Sequence, residues 1–389
     1  MGFTQEDERF MRRALLLARR GLGAVEPNPV VGAVVVKGGQ VLGEGYHHHF
    51  GGPHAEVFAL EAAGSKARGA TLYVTLEPCC HWGKTPPCTD AVRAAGISRV
   101  VTAIIDPFAR VRGKGARLLR RAGIPVDVGL LEAEARRVNG AFLTRLAHRR
   151  PWIIAKWAQS LDGSIATASG ESKWISGAES REVVQRLRGR VDGILVGIGT
   201  VLADDPLLTA RPSRPRDVRR IATRIVLDSQ CRLPIDGQFM RTVGSAPVLV
   251  VHAQKLSRTA EQRRQRLANS GAMVLAVGAN NGRLDLSALL RHLADQDYAN
   301  LLVEGGAQVI GTLIDAELID EFHLFQAPQL IPGGRRALGG APLKTLAAAP
   351  QLEITAVDRL GPDLHLTGYA LRTKAAVAMS AKMPKCPRA

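Results

Sequence analysis

Hydrophobic and polar positions along this chain alternate in blocks that predict an α/β fold. The first block runs from about Thr4 to Arg20, with acids at its start and arginines at its end, as the dipole of a helix favours. After a Pro-Asn-Pro corner, runs of branched apolar residues predict strands, and these alternate with helical stretches. We expect strands up to Lys37 and at 40–45, 71–76, 99–105 and 124–128, with helices at 54–63, 89–95, 114–122 and 132–147.

A basic stretch that ends in a proline, at 148–151, divides this pattern in two. Beyond it a strand at 152–157 restarts the alternation, which continues to about Arg372. With 389 residues the chain is too long for one average domain. We therefore predict an α/β domain at 1–147, a second α/β domain at 148–372 and a basic tail at 373–389, which we expect to be disordered.

Composition and charge narrow the function only a little. The net charge of +17 raises the hypothesis of nucleic-acid binding, but much of the excess lies in the stretch 211–224 and in the tail. A basic balance also suits an enzyme whose small substrates carry phosphates. The acidic N-terminus does not resemble a signal peptide, no apolar run is long enough to span a bilayer, and the cysteine usage is typical of a reducing compartment. We expect a cytoplasmic protein.

The stretch 54–88 has the residues of a catalytic zinc site. His54 and Glu56 open a predicted helix, Cys79 follows a predicted strand, and Cys88 precedes another helix. One imidazole and two thiolates give zinc three protein ligands and an open fourth position, beside which Glu56 can shuttle protons. His-x-Glu followed by Pro-Cys and a further cysteine is the signature of zinc deaminases, although eight residues separate the cysteines here instead of two.

Other interpretations of nearby residues stay open. A closed structural zinc knot would use Cys80 as fourth ligand, but adjacent cysteines chelate one ion poorly and a knot needs no glutamate. The three histidines at 47–49 cannot all face one ion, so a polar loop is favoured, with one of them a candidate contact for a phosphate or hydroxyl. Asn28, held between two prolines, is either a ligand contact or a turn residue.

Three stretches of the second half, at 156–174, 196–206 and 301–312, place polar residues and glycines after predicted strands, where α/β sheets bind ligands. The Gly-Gly turn in the last is either a phosphate site at a helix N-terminus or a tight connection. Asp204 and Asp205 are candidates for a general acid, or simply turn residues. Since no G-x-G-x-x-G motif opens a strand–helix unit, a Rossmann-type nicotinamide domain is not supported, and the residues alone predict only a phosphorylated ligand.

Over about residues 4–371 the chain resembles the bifunctional riboflavin-biosynthesis deaminase/reductase family. The matching motifs are His-Ala-Glu at 54–56, Thr-Leu-Glu-Pro-Cys at 75–79, Lys-Thr-Pro-Pro-Cys at 84–88, Ser-Leu-Asp-Gly at 160–163, Ala-Ser-Gly-Glu-Ser-Lys-Trp at 168–174, Thr-Val-Leu-Ala-Asp-Asp-Pro at 200–206 and Val-Glu-Gly-Gly at 303–306. The resemblance implies a cytidine-deaminase-like three-layer α/β domain followed by a dihydrofolate-reductase-like domain. The first would deaminate a diamino-hydroxy-phosphoribosylamino-pyrimidine hydrolytically, and the second would use NADPH to reduce the ribosyl group to a ribityl chain.

Carried over position by position, the resemblance also implies roles for individual residues. One zinc ion would be bound by His54, Cys79 and Cys88, with Glu56 as the catalytic proton shuttle. NADPH would meet Ala158, Trp174, Thr200, Asp204, Ser229, Gly306, Ala307, Gln308, Val309, Ile310, Gly311 and Thr312. The substrates would meet Asn28, His81, Lys84 and Thr85 in the first domain, and Ser172, Arg188, Leu208, Arg211 and Glu304 in the second.

The expected partner is thus a small phosphorylated pyrimidine, not nucleic acid or a membrane, and we expect a homo-oligomer. The rival hypotheses are a deaminase of nucleic-acid bases, a zinc-dependent binding protein without catalysis, and a deaminase whose second domain is inactive. Three features depart from the family pattern: Cys80 stands where serine is usual, Asp-Pro-Phe-Ala-Arg at 106–110 where Asp-Pro-Asn-Pro is usual, and the tail at 379–389 has no counterpart.

Overall fold

The computed structural model describes residues 2–108, 110–280 and 282–371. The chain divides into two compact units beside the basic stretch at 148–151, and we call them the first domain, up to Leu146, and the second domain, from Ala147. The predicted tail at 373–389 lies outside the described residues. No helix within the described residues is long and apolar enough to cross a membrane.

The first domain is built on one mixed sheet of five strands. The strands are β1 (Gly32–Lys37), β2 (Gln40–Tyr46), β3 (Thr71–Val74), β4 (Arg99–Thr102) and β5 (Val126–Val128), in the order β2-β1-β3-β4-β5. The helices are α1 (Gln5–Arg19), α2 (Ala55–Ala63), α3 (Cys88–Ala94), α4 (Lys114–Arg121), α5 (Glu132–Val138) and α6 (Gly140–His148). β1 is antiparallel to both of its neighbours, whereas β3, β4 and β5 are parallel, as expected for strands joined by helical crossovers.

Glycines let α1 and α2 approach opposite faces of this sheet. A Cβ at Gly32 would lie 2.0 Å from the carbonyl oxygen of Ala14 in α1, and one at Gly45 would lie 2.4 Å from that of Ala55 in α2. Gly45 pairs with Ala33, the residue next to Gly32, and successive residues of a strand face opposite sides of the sheet. One helix therefore covers each face, which is the three-layer arrangement predicted for this domain.

The second domain contains a nine-stranded sheet. Its strands and those of two small ribbons are β6 (Trp152–Ser160), β7 (Ser164–Ala166), β8 (Gly193–Gly197), β9 (Thr223–Leu227), β10 (Val248–Ala253), β11 (Met273–Val277), β12 (Ala279–Asn280), β13 (Arg283–Leu284), β14 (Asn300–Val303), β15 (Glu321–Ala327), β16 (Arg335–Arg336), β17 (Gln351–Leu360) and β18 (Asp363–Leu371). The large sheet has the order β11-β10-β9-β8-β14-β6-β15-β18-β17. Its strands from β11 to β15 run parallel, and β18 and β17 close it as an antiparallel edge.

The helices of the second domain connect these strands. They are α7 (Ala178–Arg188), α8 (Ile198–Asp204), α9 (Gln238–Arg241), α10 (Arg258–Asn269), α11 (Leu286–Asp295) and α12 (Ala307–Asp315). Buried apolar residues pack on each side of the parallel strands, for example Val196 on one side and Leu195 on the other. Because both faces are covered, these strands are almost continuously hydrophobic.

Several predicted element bounds were wrong. The helix predicted at 132–147 is two helices, because the chain leaves helical geometry at Asn139, whose side-chain amide donates to the carbonyl oxygen of Ala135 in the preceding turn. The strands predicted at 71–76 and 99–105 end earlier and the one predicted at 124–128 begins later, since each is limited to the residues that pair with its neighbour in the sheet. The strand predicted at 152–157 is longer and continues to Ser160 along β15.

Asp7 connects α1 to the sheet of the first domain. Its carboxylate accepts hydrogen bonds from the backbone N–H of Thr4, the hydroxyl of Tyr73 and the guanidinium of Arg99, at 3.0, 2.7 and 2.7 Å. Burial alone would raise the pKa of Asp7, but the hydrogen bonds from Arg99, Thr4 and Tyr73 outweigh it and hold this pKa well below its usual range. The charged carboxylate therefore stabilises the fold at neutral pH.

We predict that Asp7→Asn lowers the free energy of unfolding of the first domain by about 2 kcal/mol at pH 7, because three donors lose a charged acceptor. This stabilisation is present above the unfolded-state pKa of about 3.9 and is lost as the pH falls towards the lower folded-state pKa, so wild type and variant converge in acid. Hydrogen exchange of the β3 amides measures the opening free energy. Glu8→Gln, which alters an exposed carboxylate of the same helix, is the control. Equal exchange in wild type and Asp7→Asn would refute the role of Asp7.

Candidate active sites

Three side chains from three separate elements meet at the carboxyl end of β3. His54 immediately precedes α2, Cys79 lies in the loop after β3, and Cys88 is the first residue of α3. The Nδ1 atom of His54 lies 3.2 Å from the Sγ of Cys88 and 3.5 Å from that of Cys79, and all three atoms lie within 4.8 Å of one another. Ligand atoms around a tetrahedral zinc ion are about 3.3 to 3.8 Å apart, so the three residues fit this metal.

Cys80 is not part of this group of possible metal ligands within the described residues. The closed knot with four protein ligands therefore has no support in the structure. Three ligands leave one position of a tetrahedral ion free for water, which is the arrangement of catalytic zinc sites.

The surroundings of Cys79 favour its thiolate. Its sulfur accepts a hydrogen bond from the backbone N–H of Cys88, over 3.3 Å. The hydrogen bond from the thiol of Cys88, together with those from His54 and this N–H, lowers the pKa of Cys79 to about 4 although burial opposes the shift. A deprotonated sulfur is the form that binds metal.

Glu56 is a buried carboxylate next to these ligands. Only 3% of the residue is exposed, and its Oε2 atom has no hydrogen-bond partner among the described residues. Burial raises the pKa of Glu56 to about 7. A buried oxygen without a partner costs stability, and such atoms are found where a substrate or a metal-associated water completes the environment.

The first domain has a cavity of about 420 Å³ that brings most of the predicted residues together. The predicted residues on its wall are Asn28, His54, Glu56, Cys79, His81, Lys84 and Thr85. The cavity therefore joins two of the three metal ligands, His54 and Cys79, and the catalytic carboxylate to all four residues expected to meet the substrate of this domain.

Other residues of the cavity were not expected from the sequence. Phe142 and Arg145 come from α6, and no local pattern distinguishes them from other helical residues. The histidine triplet lies in a loop, as predicted, and its members differ in exposure. His48 and His49 are exposed, with His48 stacked on Phe58, whereas His47 is 2% exposed, bonds to the carbonyl oxygen of Pro53 and lines the cavity. The hydrogen bond to the carbonyl oxygen of Pro53 offsets part of the cost of burying the His47 ring, whereas His48 is exposed beside Phe58.

Glu77 fixes the loop at 106–113 against the cavity. Its buried carboxylate accepts hydrogen bonds from the backbone N–H groups of Asp106, Gly113 and Ala116, at 3.2, 2.8 and 2.9 Å. This loop places Asp106 and Phe108 on the cavity wall. Phe108, which departs from the family pattern, therefore contributes an aromatic surface where an asparagine would contribute an amide.

In the second domain, Glu304 follows β14 at the carboxyl edge of the sheet. Arg188 donates to both of its oxygens, over 2.6 and 2.9 Å, and the Nζ of Lys156 lies 3.9 Å away. Burial alone would raise the pKa of Glu304, but the two cations hold it below its usual value, whereas burial lowers the pKa of Lys156. Lys156 was not among the predicted site residues, because a lysine within a strand carries no signal of its partner.

The three glycine-rich stretches of this domain converge near Glu304. The N–H of Gly306, which precedes α12, donates to the hydroxyl of Thr200 in α8, over 3.2 Å. Ser172 donates to the carboxylate of Asp204 over 3.4 Å. Trp174 is 70% exposed, with the guanidinium of Arg181 lying 4.7 Å from its ring centroid.

These features fit a phosphorylated dinucleotide. The first turn of α12 offers backbone N–H groups to phosphates. A Cβ added to Gly199 would meet nothing within 4 Å, so there is open space beside Thr200. The exposed indole of Trp174 offers a flat surface to an aromatic ring.

Not every predicted residue of the second domain reaches open space. Ile310 and Leu208 are buried in the hydrophobic core, and a Cβ at Gly311 would lie 2.3 Å from the backbone of Gly339. Asp205 is a turn residue whose carboxylate accepts from the N–H of Gln238. The remaining predicted residues are half-buried or exposed. They include Ala158 on β6 and Ser229 after β9, which are half-buried, and Gln308 on α12 and Arg211, which are exposed.

Comparisons with known proteins cover nearly the whole chain. Residues 151–366 match the family described as the RibD C-terminal domain, and residues 4–104 match the cytidine and deoxycytidylate deaminase zinc-binding region. The riboflavin biosynthesis protein RibD of Aquifex aeolicus is 42% identical over 360 residues, which are 92% of this chain and 97% of the relative. The RibD of Escherichia coli is 43% identical over 375 residues, covering 93% of this chain and all of the relative.

Solved structures agree with these matches. RibD of Acinetobacter baumannii has a TM-score of 0.81 at 37% identity and covers 95% of this chain and 99% of its own. A diaminohydroxyphosphoribosylaminopyrimidine deaminase/5-amino-6-(5-phosphoribosylamino)uracil reductase from Thermotoga maritima has a TM-score of 0.79 at 35% identity and covers 94% and 99%. The predicted fold classes of both domains are thereby confirmed, and the chain belongs to the RibD family of riboflavin biosynthesis proteins, in which a zinc-binding deaminase domain precedes a reductase domain.

Proposed function

We propose that this protein is a bifunctional enzyme that carries out two consecutive steps of riboflavin biosynthesis. Its first domain deaminates 2,5-diamino-6-(5-phosphoribosylamino)pyrimidin-4(3H)-one hydrolytically to 5-amino-6-(5-phosphoribosylamino)uracil, and its second domain reduces the ribosyl group of that product to a ribityl chain. The cofactors are zinc and NADPH. The observation that carries this proposal is the group of His54, Cys79 and Cys88 beside Glu56, at a cavity whose wall includes His54, Cys79, Glu56 and Lys84. This geometry suits the amidine-like carbon of a small phosphorylated pyrimidine.

In the deaminase site, zinc held by His54, Cys79 and Cys88 supplies a Lewis acid that makes water acidic enough to attack near neutral pH. Glu56 takes a proton from the attacking water and returns it to the leaving amino group, which departs as ammonia. Asn28 orients the pyrimidine ring, and the loop 81–85 grips the phosphoribosyl arm. Glu56 is almost fully buried and lies on the cavity wall, so its carboxylate faces the space in which the attacking water would lie.

In the reductase site, NADPH supplies the hydride that reduces the sugar. The first turn of α12 and Thr200 bind its phosphates, and Trp174 and Asp204 line the same site. The carboxylate of Glu304 is fixed by Arg188 and Lys156, so it meets the substrate in a single orientation. Since Arg188 already binds Glu304, Arg211 is the arginine more available to the substrate phosphate.

The homo-oligomeric state stays a prediction. One feature of the second domain supports it: β17 is the outer strand of the large sheet, and it exposes Leu352, Ile354 and Val357. An exposed strand edge with apolar side chains is the kind of surface that a second copy of a chain covers.

The proposed function predicts ammonia release followed by equal NADPH oxidation when zinc-replete protein receives the diaminopyrimidine phosphoriboside. Chelation of the zinc should stop ammonia release yet leave the reduction of added deaminated product, because the two sites lie in different domains. A coupled assay that records both signals measures this. Ammonia from an RNA or DNA substrate, with none from the nucleotide, would instead identify a nucleic-acid deaminase.

We predict that Glu56→Gln lowers ammonia release at least about 100-fold, because the amide cannot carry the proton. Zinc content, measured by atomic absorption, should not change, since Glu56 is not a ligand. Glu61→Gln alters an exposed carboxylate of the same helix and serves as the matched control. Undiminished ammonia release in Glu56→Gln would point to another base or to a protein that only binds zinc.

We predict that Glu304→Gln lowers NADPH oxidation at least about tenfold, because two buried cations lose their shared carboxylate. Ammonia release in the first domain should continue unchanged, and NADPH binding, followed by fluorescence, should show that the domain is folded. Asp295→Asn, an exposed carboxylate of the same domain, is the control. Wild-type turnover by Glu304→Gln would remove Glu304 from the substrate site.

A further inference from the structure

The wall of the deaminase cavity carries a contact between two side chains that the sequence did not connect. The Nζ atom of Lys84 lies 3.8 Å from the centroid of the Phe50 ring, and both residues line the cavity. A Cβ added to the neighbouring Gly51 would lie 3.3 Å from the Cδ of Lys84, so the backbone beside Phe50 also packs against the stem of the lysine. The loop that precedes α2 thus holds both the head and the stem of Lys84.

An aromatic ring holds a cation differently from a carboxylate. The face of the ring attracts the ammonium group, but it carries no net charge and does not neutralise it. No carboxylate of the described residues lies within ion-pair distance of Lys84, so its positive charge stays available. An exposed lysine otherwise samples many rotamers, and fixing them on binding costs affinity.

We propose that Phe50 is a positioning residue that holds the ammonium of Lys84 at the deaminase cavity, and that it thereby favours pyrimidine ribosides carrying a phosphate over those without one. The inference rests on the proposed deaminase function and adds a residue that determines specificity. Phe50 itself does not touch the reacting atoms. It lowers the entropy that Lys84 loses when the phosphate binds.

The test compares the phosphorylated substrate with the same riboside lacking the phosphate. Phe50→Leu should raise KM for the phosphorylated substrate about two- to fivefold, which is the range of a cation–π contact at an exposed site, and should leave kcat nearly unchanged. KM for the riboside without phosphate should not change. Phe50→Tyr, which keeps the ring, should restore KM. Phe3→Leu replaces another exposed phenylalanine, outside the cavity, and is the control.

A second variant distinguishes two roles of Phe50: positioning the ammonium of Lys84, and packing as part of the cavity wall. In a Lys84→Met background, Phe50→Leu should have no further effect on KM, because the ring then has no ammonium to hold. An equal rise of KM for both substrates, or an undiminished effect in Lys84→Met, would overturn the inference and make Phe50 a wall of the cavity only.

A failure of the inference about Phe50 can be distinguished from a failure of the proposed deaminase function. Absence of ammonia release by the wild type would overturn the deaminase assignment. The role of Phe50 would then be decided by calorimetric titration of Glu56→Gln, with and without Phe50→Leu, using the phosphorylated riboside and its counterpart without phosphate. A loss of affinity confined to the phosphorylated ligand supports the role, and an equal loss for both ligands refutes it.

Discussion

The close approach of α2 to β2 is the constraint on which the deaminase site depends. A Cβ at Gly43 would lie 2.1 Å from the carbonyl oxygen of Ala59, and one at Gly45 would lie 2.4 Å from that of Ala55, so the helix and the strand meet backbone to backbone. This contact fixes the start of α2, where His54 and Glu56 reach towards the loops that carry the two cysteines. If the helix moved outwards by the width of a methyl group, the imidazole would leave its present 3.2 and 3.5 Å distances from the two sulfurs and could no longer share one zinc ion with them.

The two domains treat buried carboxylates in opposite ways. In the first, an oxygen of Glu56 has no partner and burial raises the pKa of the residue, which suits a group that must gain and lose a proton. In the second, Arg188 and Lys156 keep Glu304 ionised and fixed, which suits a group that keeps one charge and one orientation. The charges around each glutamate thus give the same type of side chain different properties in the two domains.

The sequence predicted those parts of the sites that are encoded locally. Two local motifs indicate zinc chemistry before any fold is known: the spacing of His54 and Glu56, and the Pro-Cys pair that ends in Cys79. Each motif can be recognised in the sequence because its functional side chains lie within a few residues of one another. Phe142, Arg145 and Lys156 were missed because they reach their sites only through the packing of distant elements. In the second domain the residue pattern alone predicted only that the ligand is phosphorylated. The resemblance to a family supplied the roles of the individual residues there. It could not show that Ile310 and Leu208 are buried, since burial depends on the packed sheet.

The net positive charge of the chain does not by itself show which cations can bind a ligand. That depends on whether each basic side chain already forms an ion pair with a carboxylate. Arg99 and Arg150 are held by Asp7 and Asp320, and these pairs stabilise each domain without offering a charge to a ligand. Lys84 and Arg211, by contrast, have no carboxylate within ion-pair distance among the described residues, and both were expected to meet a phosphorylated substrate. A cation kept without a counter-ion attracts phosphate at the lowest desolvation cost, because no existing ion pair has to be broken first. An excess of basic residues therefore fits an enzyme that binds phosphorylated small molecules in both domains as well as it fits a protein that binds nucleic acid.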